Sequence, residues 1–470
     1  MDKAKAQKYG HIEAAPVKSF FVSMLTRDIT LEDAILDLLD NCVDGILRSK
    51  RSEGDRPYKG FWAEIDFKPD LFSISDNCGG IPWNLHDYAF RMGRELGRKP
   101  DAPGAVGVYG IGMKRAIFKI GRDCLISTRN AEDQYEVEIP PEWFVKELDW
   151  SLSARKARKS LGEDGTTIVV GNLNPGIIEQ FGEDANKFGA ALDRVVSTQY
   201  AYIIDKGFEV KINGESVKPR TTKIVFDSRA GKKIPSIRPY IFKTTTDGVE
   251  VFLAVGFTRP IPSQSEILDE QEAKRYSSED AGWTVICNDR AVLYCDRSEL
   301  TGWGEANVPR YHTQFIAISG IVEFKSDDPR KLPTTTTKRG IDTSLPLYLQ
   351  TKNKMREGMR IFTNYTNKWK GQADESRKQI ERGERLSLVG IKARAQDLPF
   401  SATLKSLPPG DQYKPDLPFP PRLEPTKRRI SFVKEVAKIR TVATYFGDPD
   451  IEPSEVGEKC FDTLYEEARK

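Results

Sequence analysis

Leu31-Glu32-Asp33-Ala34-Ile35-Leu36-Asp37-Leu38-Leu39-Asp40-Asn41-Cys42-Val43-Asp44-Gly45-Ile46-Leu47-Arg48 decides how the chain is read. At about 100° per residue, Ile35, Leu38, Leu39, Cys42, Val43 and Ile46 share one helical face. Asp37, Asn41 and Asp44 share the opposite face, at spacings of four and three. Thr30 is placed to cap this helix, and Asp33, three residues on, completes an imperfect capping box. Two readings fit the polar row. One is an amphipathic surface helix with solvated acids. The other is a carboxylate–amide row that holds Mg²⁺ and orients water, since magnesium favours oxygen ligands and keeps several waters.

Downstream lie two glycine motifs. Phe72-Ser73-Ile74-Ser75 alternates as a half-buried strand and runs into Asp76-Asn77-Cys78-Gly79-Gly80-Ile81-Pro82. An aspartate at a strand end can accept a hydrogen bond from a ligand amino group while glycines admit close backbone approach; an ordinary Asp-Gly turn reads equally well. Gly107-Val108-Tyr109-Gly110-Ile111-Gly112-Met113-Lys114 then opens a helix through Ala116, Ile117 and Ile120. Glycines before a helix make a nest of backbone N–H groups for phosphate, and Lys114 adds positive charge. The stretch is neither a Rossmann turn, for no parallel-strand run directly precedes it, nor a Walker A loop, for GxxxxGK[ST] is absent.

Composition bounds the rest. The chain has 470 residues, enough for two to three domains. With 39% hydrophobic and 30% charged residues it is neither disordered throughout nor rich in membrane spans. Met1-Asp2-Lys3-Ala4-Lys5 leads into no apolar signal region, and the six cysteines lie far apart with no CxxC pair, so a cytoplasmic protein with reduced thiols is expected. His11, His86 and His312 are too scattered for a multi-histidine metal site, and no residue cluster supplies a nuclease of the chain's own. The 72 basic and 69 acidic side chains nearly cancel, so net charge does not demand nucleic acid.

Taken in order, the motifs resemble the GHKL ATPases, the superfamily of gyrase B, heat-shock chaperone, histidine kinase and MutL nucleotide-binding domains. That family reads ExxxNxxD on a helix, DxGxG at a strand end and GxxGxG in a lid. This chain offers Asp37-x-x-x-Asn41-x-x-Asp44, Asp76-x-Cys78-x-Gly80 and Gly107-x-x-Gly110-x-Gly112. Gly165-Thr166-Thr167-Ile168-Val169-Val170 looks like the family's Gly-Thr before a strand. The resemblance implies ATP and Mg²⁺ as ligands, Asp37 as base, Asn41 on Mg²⁺ and Asp44 supporting the nucleotide site. Asp76 would accept from the adenine amino group with Thr166 helping to hold it. Gly80, Gly107, Gly110, Gly112 and Lys114 would complete the nucleotide site. Gly282-Trp283-Thr284-Val285-Ile286-Cys287-Asn288-Asp289-Arg290 is similar to the transducer strand of MutL and MORC-type proteins. Leu332-Pro333-Thr334-Thr335-Thr336-Thr337-Lys338-Arg339 is similar to their lysine-bearing loop, with Lys338 as γ-phosphate sensor and Arg339 or Lys331 as substitutes; a solvated basic loop is the other reading.

The expected architecture is α+β, a Bergerat-type α/β sandwich ATPase domain over 1–200 followed by an α/β transducer domain over 201–345. A long helical segment over 346–390 starting at Pro346, a Pro-rich linker over 391–425 and a small C-terminal module over 426–470 complete it. Phe20-Phe21-Val22 reads as part of a strap exchanged between protomers or as a first strand.

Two departures from the family pattern matter. Asp37 is one methylene shorter than the family's glutamate, so hydrolysis is expected to be slow or absent. Cys78 replaces a glycine and offers a thiol for alkylation. A histidine kinase does not fit, because no histidine sits in a paired-helix segment; a heat-shock chaperone needs a larger middle domain, and gyrase a catalytic-tyrosine partner. What remains is a MutL/MORC-like ATPase closing as a homodimer on ATP, with a protein partner and DNA as candidate partners in prokaryotic defence or repair. The alternative is a nucleotide-held scaffold that turns over little. Arg155-Lys156-Ala157-Arg158-Lys159, Lys427-Arg428-Arg429 and Lys368-Trp369-Lys370 are the DNA-facing candidates, with solvated surface as their other reading.

Overall fold

The structure, a computed structural model, describes residues 16–49, 54, 56–93, 104, 106–107, 110–159, 161–228, 235–263, 265–268, 280–335, 337–370, 372–403, 408–420 and 430–470. Residues 1–15 with His11, Val108 and Tyr109 of the glycine stretch, Thr336, and 421–429 with Lys427-Arg428-Arg429 lie outside the described residues.

The chain is α+β and divides into two compact units, 1–420 and 421–470. In the first, α1 (Lys18–Arg27) precedes α2 (Leu31–Ser49). Phe20-Phe21-Val22 is therefore helical, not a strand, with Val22 buried and the Phe21 ring edge-on to Trp150 at 5.5 Å. Thr30 Oγ1 accepts from the Asp33 backbone N–H at 3.2 Å, the capping contact the sequence implies. Ile35, Leu38, Leu39, Val43 and Ile46 are all buried. At roughly 1.5–3 kcal/mol per side chain, this packing holds α2 in place. Burial extends round the helix to Asp37 and Asp40, which are 5% and 2% exposed, so these two acids are not solvated.

An eight-stranded sheet ordered β5-β4-β3-β6-β2-β1-β7-β8 backs α2. Its strands are β1 (Trp62–Lys68), β2 (Leu71–Asp76), β3 (Gly121–Arg129), β4 (Gln134–Ile139), β5 (Ser153–Lys156), β6 (Gly165–Leu173), β7 (Glu209–Ile212) and β8 (Glu215–Ser216). All neighbours run antiparallel except β1 and β7. Alternation sets its inner face: Ala63, Ile65 and Phe67 of β1 are buried in turn. The helices between its strands are α3 (His86–Phe90), α4 (Gly112–Ile120), α5 (Pro141–Val145), α6 (Pro175–Phe181), α7 (Ala185–Gln199) and α8 (Ala201–Asp205). Because β7 and β8 complete this sheet, the first domain runs past residue 200, the boundary expected from sequence.

The second sheet is ordered β13-β12-β14-β11-β10-β17-β16. It comprises β10 (Tyr240–Thr246), β11 (Val249–Phe257), β12 (Gly282–Cys287), β13 (Arg290–Asp296), β14 (Ile318–Lys325), β16 (Ser401–Ala402) and β17 (Asp411–Tyr413). A two-stranded ribbon pairs β9 (Ile224–Phe226) with β15 (Glu384–Leu386). Helix α9 (Pro346–Lys368) starts at the expected proline and packs on β10, β11 and β14, with Met355, Met359 and Phe362 buried.

Two expectations are corrected here. The long helix stops at Lys368, because Trp369 turns into the core, 2% exposed; α10 (Ala373–Ile380) and α11 (Leu388–Ala395) follow as separate helices. The described part of 391–425 is not a free linker: β17 pairs with β10 through Ile241–Tyr413, a ladder that proline content does not reveal. The described residues of the 421–470 unit include two helices, α12 (Val436–Tyr445) and α13 (Pro453–Ala468). Among the described residues, no helix is long and apolar enough to cross a membrane.

Candidate functional site

One cavity gathers the eleven residues that the sequence places in the candidate site. Asp37, Asn41, Asp44, Asp76, Gly80, Gly107, Gly110, Gly112, Lys114, Thr166 and Lys338 all line it. Helix α2 forms one wall, β2 and β6 the floor, and the start of α4 the opposite wall.

The floor is built around Asp76, the last residue of β2. Its Oδ1 accepts from the Cys78 backbone N–H at 2.8 Å, and the Cys42 thiol donates to Oδ2 at 3.6 Å. Burial pushes this carboxyl up to about 6, against the hydrogen bonds that favour its charged form. Thr166 Oγ1 lies 3.1 Å from Thr128 Oγ1, on the strand beside Asp76. Gly80 has φ +65°, and a Cβ there would lie 1.9 Å from the Arg129 carbonyl oxygen, so no other residue fits this turn. Cys78 is 1% exposed and burial raises its thiol, leaving it protonated and a poor target for the alkylation its position suggested.

Asp44 holds the glycine stretch. Its two oxygens accept from the backbone N–H groups of Val106 at 2.6 Å and Gly107 at 2.8 Å. A Cβ on Gly107 would stand 2.5 Å from Asp44 Oδ2, so glycine is what permits this clasp. Lys114 donates from Nζ to the carbonyls of Ala89, at 2.7 Å, and Gly110. It thus ties the glycine stretch to α3 rather than projecting freely into the cavity. Asn41 is exposed at the cavity wall.

Asp37 is buried in the wall. Arg115, on the first turns of α4, donates to its Oδ2 from Nε at 3.1 Å and from Nη2 at 2.5 Å. Burial still raises the Asp37 carboxyl above its ordinary value, against the pull of Lys338 and Arg115. One turn away, Asp40 Oδ2 accepts from Lys338 Nζ at 2.7 Å, and Oδ1 accepts from Arg290 Nε at 3.1 Å and from the Tyr200 hydroxyl. Burial alone would raise Asp40, but Lys338 and Arg290 reverse this and hold it below the usual carboxylate range. Arg290 also donates to Gln199 and stacks over the Tyr200 ring at 4.5 Å. Asn288 and Asp289 both adopt positive φ, the turn a two-residue hairpin requires, and this sets Arg290 at the head of β13.

Of the three basic residues weighed in the 331–339 loop, Lys338 alone lines the cavity. Arg339 pairs with Asp33, and Lys331 donates to the Asp247 carbonyl. Two residues of the other described basic stretches are engaged within the fold. Arg155 is taken by Glu136 and Glu138, and Trp369 is buried away from any stacking role.

Arg115, Asp40 and Tyr200 were not read from the sequence as site residues. Arg115 follows the glycine motif as an ordinary helix cation, and Tyr200 is one aromatic among sixteen tyrosines. Asp40 did carry a signal: it is an acid between Leu36 and Val43 on α2, flanking the apolar face. Among the described residues, no group of three or more His, Cys, Asp or Glu side chains is arranged to hold a metal ion. The cavity instead offers isolated oxygen donors, a backbone-rich loop and buried cations. That donor set suits a ligand that brings its own negative charge. No protein-family model matches the chain.

Proposed function

We propose that this chain is an ATP-dependent conformational switch of the GHKL type, with a Bergerat-type nucleotide domain followed by a transducer domain. The observation that carries the reading is the convergence of eleven residues, drawn from motifs between Asp37 and Lys338, on one cavity. Asp76 accepts the adenine amino group, beside Thr166. The Gly107–Gly112 stretch covers the phosphates with backbone N–H groups, and Asp44 fixes its near end. Lys338 supplies positive charge from the second-sheet side of the molecule.

Magnesium fits this donor set only together with the substrate. Asn41 is the exposed oxygen donor on the wall, with phosphate oxygens and waters completing the shell. When bound, the ion neutralises phosphate charge and orients the terminal group. Asp37 takes the proton of the attacking water, a role open to a carboxylate within hydrogen-bond reach. Its raised carboxyl is better matched to proton transfer near neutrality than an ordinary aspartate. Two protomers close over bound ATP and open after hydrolysis.

One observation favours a second reading, a nucleotide-held scaffold with little turnover. Asp37 is engaged by Arg115 and so is not free to act on water. Steady-state ATP turnover with Mg²⁺, compared between the parent and Asp37→Asn, separates the two, with solution size recorded on a non-hydrolysable analogue. Turnover lost in the variant with analogue-driven dimerisation supports the switch. Binding without turnover in the parent supports the scaffold. No nucleotide binding at all sinks both.

A further inference from the structure

We infer that Arg115 is a terminal-phosphate sensor: it pairs with Asp37 and exchanges that partner for the third phosphate of a bound nucleoside triphosphate, releasing Asp37. The inference rests on the ATP reading above and adds to it a discriminator between tri- and diphosphate.

Three observations carry it. Arg115 lines the cavity on the first turns of α4, directly after the Gly110-Ile111-Gly112 run. It therefore sits where a helix N-terminus and a backbone nest gather negative charge. Second, its contact with Asp37 is incomplete. Nε and Nη2 both donate to the one oxygen Oδ2, so the guanidinium fork does not meet the two carboxylate oxygens in parallel. A phosphate group, with three acceptor oxygens, can satisfy that fork fully. Third, the pair is desolvated: the side chains of Arg115 and Asp37 are 11% and 6% exposed. A buried guanidinium cannot leave its carboxylate unless another anion takes its place. An arriving terminal phosphate is such an anion, and Lys338, whose charge acts on Asp37, remains to offset the carboxylate left behind.

The consequence is a site in which the candidate base is masked until the substrate carries a terminal phosphate. A diphosphate leaves Arg115 on Asp37. The same pairing accounts for an acid that lines the cavity yet has a side chain only 6% exposed. Lys114 does not compete for the role, because its Nζ is committed to the Ala89 and Gly110 carbonyls.

The test is the affinity of the full chain for ATP and for ADP, each with Mg²⁺, in the parent, Arg115→Gln and Arg115→Lys. The inference expects Arg115→Gln to lower ATP affinity on the order of tenfold or more, the scale of a lost charge-assisted contact. ADP affinity should stay within about twofold, since no contact to a diphosphate is lost. Arg115→Lys keeps the charge without the fork, so it should fold and retain part of the preference for ATP. An unchanged ATP-to-ADP ratio in both variants overturns the inference while leaving the ATP reading intact, and Arg115–Asp37 is then a structural ion pair. A parent that binds neither nucleotide overturns both.

Discussion

Lys338 Nζ lies 2.7 Å from Asp40 Oδ2, although 298 residues separate the two in sequence. The contact joins helix α2, packed on the first sheet, to the loop that follows β14 of the second sheet. Arg290, at the head of β13, grips the other oxygen of the same carboxylate. One buried acid thus carries two cations from the second half of the fold. Lys338 holds its place with φ +55°, a left-handed backbone that costs a non-glycine residue energy and persists only where surroundings enforce it.

Asp40→Asn should therefore destabilise the fold by about 3–5 kcal/mol, because it leaves two buried cations without their charge partner. Denaturant unfolding at pH 7.5 measures this. Asp40 is held below 3.8 in the folded state, so its stabilising contribution is full above that value and is lost as pH falls through its lowered pKa. The gap between parent and variant should be flat around neutrality and narrow only in acid. A loss under about 1 kcal/mol would mean the network is not ionised as described.

Lys338→Met separates folding from function. Arg290 and Tyr200 still donate to Asp40 Oδ1 in this variant and Arg290 still balances its charge, so the stability loss should be smaller than for Asp40→Asn. If Lys338 senses the terminal phosphate, ATP turnover should fall by about 10²-fold or more while ADP binding changes little. Equal weakening of ATP and ADP would point to a purely structural lysine.

How much of this was legible in the sequence follows from what each signal measures. Helical periodicity placed α2 and its cap, and glycine spacing marked the stretch that Asp44 clasps, because both are local. The same periodicity left the Asp37 face open between a solvated row and a ligand-holding one, since a single helix carries no record of the second wall that buries it. Nothing local marks the partners of Asp40, for Lys338 and Arg290 come from far along the chain. Proline content suggested a linker where β17 pairs with β10 and β16, because a three-residue strand needs few residues and the prolines near it lie outside its ladder. Arg115 was invisible for the plainest reason: a helix cation declares its partner only when the opposing helix is in place.

Asp76 shows the opposite energetics to Asp40. Its folded pKa of about 6 lies above the unfolded value, so ionising it opposes folding. Any stability it lends is present below 3.8 and is lost as pH rises through about 6. Asp76→Asn removes that penalty and should melt at or above the parent temperature at pH 7.5, with the difference shrinking as pH is lowered through 6. On the proposed nucleotide reading, binding should be lost at the same time, because the carboxylate proposed to accept the adenine amino group is replaced by a neutral amide. A variant that is less stable at every pH would make Asp76 a structural acid instead.

Asp44→Ala tests the clasp. Removing its carboxylate frees the Val106 and Gly107 N–H groups, so amide exchange at these two positions should quicken while the core strands of the first sheet keep their protection. Nucleotide affinity should fall with it, since a looser glycine stretch must be ordered again on binding. Unchanged exchange at Val106 and Gly107 would show that the stretch is held by something other than Asp44.

Asp37 gives the sharpest pH prediction. The proposed general-base role requires it ionised, and its carboxyl is raised by burial despite Lys338 and Arg115. Turnover should therefore decline on the acid side at a pH above the 3.8 of an ordinary aspartate, and rise to a plateau once the carboxyl is ionised. Asp37→Asn should cost about 10²–10⁴-fold in turnover with nucleotide affinity largely kept. The acid limb should vanish from whatever residual rate remains, because the group that titrates is gone. A variant that keeps the parent's rate and the parent's acid limb would assign the proton transfer to another group in the cavity. Asp76, titrating near 6, would then be the first to examine.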